Sequence, residues 1–138
     1  MLQRRRLKIL DKRRFFREAM TELAGSAYVS FEGNLSSLSL SKIRGASGEE
    51  TSTLKRNTIW PKQDFIVLPL EAELTKEISS AIGGTIPKAI LHIQIEKRGK
   101  LELGIYDNFQ HVGCGEALEA KFLEQLQSDG IVKLNEVI

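Results

Sequence analysis

The sequence predicts an α+β fold: a mostly antiparallel sheet of about five to seven strands, with about three helices packed mainly on one of its faces. Three observations carry this. Phe15, Phe16, Ala19, Met20 and Leu23 recur at spacings of three and four, as on one side of a helix. Leu91, Ile93 and Ile95, then Leu101, Leu103 and Ile105, alternate as the two arms of a hairpin do. Helical patterns do not regularly separate one strand from the next, as the crossovers of a parallel sheet would require.

The first helix has Asp11 as its expected N-cap and Gly25 as its stop, and Leu7 and Leu10 favour some extension before Asp11. Ala27, Val29 and Phe31 alternate with polar residues, which predicts a strand with one buried side. Gly33-Asn34 suits a two-residue turn into a returning segment around Leu38 and Leu40. Residues 44–53 read as an exposed loop, and Leu54 to Trp60 as a weak strand ended by Pro61. The apolar run from Phe65 to Leu70 predicts a central strand, with Pro69 limiting its hydrogen bonds near the end. Leu74, Ile78 and Ile82 mark a helix over about 72–82, stopped by Gly83-Gly84.

For the hairpin from Lys88 to Tyr106, a three-residue turn at Lys97-Arg98-Gly99 is expected. It pairs Ile95 with Leu101, Ile93 with Leu103 and Leu91 with Ile105, apolar against apolar. The opposite side, with Ile90, His92, Gln94, Glu102 and Tyr106, is mixed and is expected to be exposed or only partly covered. Leu118, Phe122, Leu123 and Leu126 mark a last helix over about 116–128. Gly130 ends it and Ile131 to Leu134 add a short strand.

The chain has 138 residues, enough for one domain with a real core. One domain over 1–138 is expected, with residues 1–17 as a basic arm or helix. That segment holds eight basic residues against Asp11 alone, a net +7, whereas the remainder carries twelve basic and seventeen acidic residues, a net −5. An acidic body with a cationic arm attracts phosphate or an acidic partner, or folds the arm back on the body. The single cysteine cannot make an intrachain disulfide, no apolar run reaches the roughly 20 residues of a membrane span, and Met1 to Arg17 is too charged for a secretion signal. A cytoplasmic protein is expected, without cofactor, metal or membrane.

The most reactive-looking stretch is Tyr106 to Gly115, where Asp107, His111 and Cys114 offer an orienting acid, a base and a nucleophile ahead of a helix. Glu116 opposes a thiolate there, and a buried structural cysteine is the competing reading. Two ligands at His111 and Cys114 fall short of a zinc site, and no glycine cluster forms a phosphate loop. Trp60 stands among Lys55, Arg56, Asn57 and Lys62. That setting suits a protein-interface anchor or a stacking platform for single-stranded nucleic acid, and a half-buried structural tryptophan competes with both.

Three functions follow, in order. The first is a non-catalytic protein-binding module that uses Trp60, Arg56, Tyr106 and Asp107. In size, class and lack of motifs the chain resembles the small immunity proteins and toxin inhibitors of bacteria, a likeness that covers no motif and transfers no residue. The second is nucleic-acid binding through Arg4, Arg5, Arg6, Arg13 and Arg14. The third is a small enzyme that uses Cys114 and His111. A homodimer through an exposed sheet edge is compatible with the first.

Overall fold

The computed structural model describes residues 5–83 and 85–134. Seven strands form one antiparallel sheet: β1 (Arg5–Ile9), β2 (Ala27–Gly33), β3 (Asp64–Pro69), β4 (Ile90–Lys97), β5 (Lys100–Tyr106), β6 (His111–Cys114) and β7 (Val132–Leu134). Their order across the sheet is β3-β2-β4-β5-β6-β1-β7. Three helices, α1 (Lys12–Leu23), α2 (Thr75–Ala81) and α3 (Ala120–Ser128), share the main core on one face. This is the predicted α+β architecture.

The core joins Phe15, Phe16, Met20 and Leu23 of α1, Ile78 of α2 and Leu123 of α3 to Val29, Phe31, Ile93, Ile95, Leu103 and Ile105 of the sheet. Asp11 caps α1 by accepting from the Arg14 N–H at 3.1 Å. At the other end, Lys97 Nζ donates to the carbonyls of Leu23, Ala24 and Gly25 at 2.8–3.0 Å, a cation placed where the helix dipole favours it.

Several expectations are corrected. Residues 5–9 do not extend the helix and are not a loose arm. Leu7 is buried between β6 and β7 while Arg6 and Lys8 point outward, a period of two that belongs to a strand. The described basic residues are therefore divided: Arg6 and Lys8 lie on the sheet's outer face, Arg5 on the other side of β1, and Lys12, Arg13, Arg14 and Arg17 on α1. No hairpin forms at Gly33-Asn34: Leu40 sits in a 3-10 turn (Ser39–Lys42) and β2 pairs with β3 and β4. Gly33 serves a close approach instead, since a Cβ there would collide with the Ala89 carbonyl.

β3 is an edge strand, not a central one. Its apolar run arises because both of its faces are covered: Ile66 and Leu68 meet the main core, while Phe65 and Val67 meet Leu54 on the other side. Leu54 to Trp60 is a loop, not a strand. Residues 44–53 are not free either. Ser47 bridges Val67 through two backbone hydrogen bonds of 2.9 and 2.7 Å and protects the β3 edge.

The β4–β5 turn has two residues, Arg98 and Gly99, both with positive φ. Lys97 pairs with Lys100 and Glu96 with Leu101, and a bulge at Ile95/Glu96 then sets Ile95 against Leu103 and Ile93 against Ile105. The bulge sends Leu101 to the outer side, against Leu54, Phe65 and Val67. The mixed face of the hairpin is covered: His92, Gln94, Glu96, Glu102 and Tyr106 are all buried. Among the described residues, no helix is long and apolar enough to cross a membrane.

Candidate functional site

The register lines up two rows across the outer face of the sheet. Val67, Ser30, Gln94, Gly104, Gly113 and Arg6 form one, from β3 to β1. In the other, Phe65, Glu32 and His92 are direct neighbours at the β3 end, as are Tyr106 with His111, and Lys8 with Lys133 at the β7 end. Residues 47–58 lie over the β3-β2-β4 half. The half made of β6, β1 and β7 keeps His111, Arg6, Lys8 and Lys133 exposed.

The crossing loop is tied down by buried polar groups. Glu32, 1% exposed, accepts the backbone N–H of Asn57 at 2.7 Å on one carboxylate oxygen and that of Thr58 at 3.0 Å on the other. A buried carboxylate without partners is costly, so these charge-assisted bonds hold the loop to the sheet. His92 Nδ1 accepts the Asp107 N–H at 3.3 Å. That leaves the ring proton on Nε2, which faces Thr58 Oγ1 at 2.8 Å. Thr51 Oγ1 donates to Glu96 Oε1 at 3.3 Å and accepts from the Leu54 N–H at 2.8 Å.

Immediately beyond these anchors stand Ile59 and Trp60, 95% and 85% exposed, followed by Pro61 across a cis peptide bond. Scattered exposed apolar residues are ordinary, but two adjacent ones on an anchored loop present a continuous apolar tip. Lys55 and Lys62 flank it and are exposed. Arg56, expected to face a partner, is engaged within the loop. Its guanidinium donates to the Gln63 carbonyl at 2.6 Å and lies 5.1 Å from the Phe65 ring centre. Lys55 and Lys62 therefore face outward with the two apolar residues, as do Asn57 and Pro61.

The other expected site residues separate. Tyr106 is buried under Gln94, whose Nε2 donates to its hydroxyl at 3.0 Å, so it cannot meet a partner. Burial raises its hydroxyl pKa, partly offset by that bond. Asp107 is exposed and lies 3.8 Å from His111. Cys114, however, does not join them. His111 and Cys114 are three apart on β6 and so point to opposite faces, His111 to solvent and Cys114 into the core. Burial pushes the Cys114 thiol up to about 11, with the Arg5 charge lowering it and the Glu102 charge raising it. Cys114 is in a strand, six residues before α3 begins, so the expected helix-start thiolate and the Cys–His pair do not form.

Among the proposed nucleic-acid contacts, Arg4 lies outside the described residues. Arg5 packs toward the loop after β6, Arg6 is on the outer face, and Arg13 and Arg14 are on α1 across the sheet. Among the described residues, no group of three His, Cys, Asp or Glu side chains is placed to hold a metal ion. Sequence reasoning missed Glu32 and His92 as the anchors of the tip. Their only signal is a glutamate and a histidine on the polar side of confident strands. Comparisons with family models, curated proteins and solved structures find no match.

Proposed function

We propose that the protein is a binding module for another protein and that the Ile59–Trp60 tip is its point of contact. The observation that carries this reading is the pairing of a fully exposed apolar dipeptide with a buried carboxylate that fixes the backbone just before it. A preorganised loop loses little freedom on binding, and tryptophan in an apolar pocket is a frequent energetic centre of an interface. Lys55 and Lys62 on the flanks favour a pocket with an acidic rim.

Trp60 is the chain's one tryptophan, so its emission reports on the tip alone. A photo-crosslinking residue at position 60, compared with one at Lys121 on α3, should capture one protein in the native extract. With that protein purified, the Trp60 emission shifts to shorter wavelength on titration, and Trp60→Ser weakens binding by about 30-fold or more, the scale of an interface hot spot. Equal capture from both positions, or unchanged affinity of Trp60→Ser, overturns the reading. A shift produced by anionic vesicles alone, or by raising the concentration of the protein itself, replaces the partner with a membrane surface or a second copy.

A further inference from the structure

Among the described residues, the half of the sheet left uncovered is cationic because the fold sets Lys133 beside Arg6 and Lys8 of the basic N-terminal run. Lys8 stands directly opposite Lys133, a residue from the other end of the chain. Arg6 lies two residues along the same side of β1, and His111 begins the neighbouring strand β6. Adjacent strands lie about 4.8 Å apart, so these groups form a patch two strand spacings wide. Directly opposed like charges destabilise a sheet. Even so, among the described residues Arg6, Lys8 and Lys133 have no side-chain hydrogen bond or ion pair to relieve this; Asp107 pairs with His111.

We infer that this face of β6, β1 and β7 binds the phosphate backbone of nucleic acid. The charge calls for an anionic ligand with repeating charges. A protein interface would need an apolar centre. Among the described residues the exposed large apolar ones are Leu10, Tyr28, Ile59 and Trp60, of which Leu10 alone is near, past the end of β1. Tyr106, the nearest aromatic along the row, is buried and cannot stack on a base, so the contact is to phosphate and indifferent to sequence. The inference is independent of the Trp60 tip, which lies at the opposite half of the sheet.

The test is fluorescence anisotropy of labelled oligothymidylate and oligouridylate with the intact protein. With three phosphates neutralised, the logarithm of affinity should fall with the logarithm of salt at a slope of about −2, or about 20-fold across a fourfold rise in salt. Lys8→Gln with Lys133→Gln should lower affinity about tenfold at low salt and flatten the slope by about 1.4. Its melting temperature should equal or exceed the parent's, because a repulsive pair is gone. Lys133→Glu, which gives Lys8 an opposite charge as neighbour, should keep the fold and weaken binding at least as much. Arg13→Gln with Arg17→Gln on α1, and Trp60→Ser, should leave binding within twofold. Unchanged binding after the Lys8 and Lys133 substitutions overturns the inference. So does an equal loss from the α1 or Trp60 variants, or stronger competition by polyglutamate or anionic vesicles than by unlabelled oligonucleotide.

Discussion

Glu32, buried on the second strand, accepts the Thr58 N–H at 3.0 Å across 26 residues of chain, and its second oxygen takes the N–H of Asn57. This one side chain converts an exposed loop into a fixed support for Ile59 and Trp60. Glu32→Gln keeps the size but puts an amide N–H₂ in place of one accepting oxygen, so one backbone donor faces another donor. The cost should be about 1–3 kcal/mol. The loss should be local as well as global: amide exchange at Asn57 and Thr58 should quicken more than at Val29 or Phe31. Uniform quickening, or none, would show that the carboxylate does not secure the loop.

The fold class was legible because its strongest signals are short-range. The period of α1, the Asp11 cap, and the alternation of Ile93 with Ile95 and of Leu103 with Ile105 survive in the structure. What was not legible depends on contacts between distant segments. The β5–β6 connection turns through Asp107, Asn108 and Phe109, all with positive φ and none of them glycine; Asp107 and Asn108 are turn residues by type, but Phe109 is not, so the short return strand did not stand out. Asn108 explains how it holds: its side-chain amide donates to the carbonyls of Pro87 and Ile90 at 3.0 and 2.8 Å. The register of β4 and β5 failed for a related reason. Strict alternation cannot announce that Glu102 is the extra residue of a bulge, its carboxylate taken by the Ala117 N–H at 3.2 Å. The candidate site was half legible: Trp60 stood out by type, whereas its anchors looked like solvent-facing residues until residues 47–58 were seen to cover them.

Cys114 is fully buried in the core and its thiol is pushed up to about 11. At neutral pH the native thiol should therefore alkylate far more slowly than a free thiol, and denaturant should restore the rate. The stability consequence has a definite sign. The folded value lies above the ordinary 9.0, so the folded state holds this proton more tightly. The resulting stabilisation is complete below pH 9 and is lost as pH rises through about 11. Cys114→Ala should flatten the fall in stability across that window. An identical fall in the variant would assign it to other groups.

Gly104 lies beside the Tyr106 ring. A Cβ on Gly104 would come 2.6 Å from ring Cε2 and 2.7 Å from the hydroxyl oxygen. The ring has little room to yield, because Gln94 Nε2 holds the hydroxyl and the His92 ring centre lies 5.7 Å away. Gly104→Ala should therefore cost about 1–3 kcal/mol, the range of an overpacked core. Lost strand entropy cannot produce this sign, since alanine is the better strand residue at an unstrained position. The cause can be isolated by repeating the substitution after Tyr106→Ala, where the ring is absent. The Gly104→Ala cost should then nearly vanish, giving a coupling of about 1 kcal/mol or more between the two sites. If chemical denaturation shows the same cost with and without the ring, the glycine is required by the backbone and not by the tyrosine that lies over it.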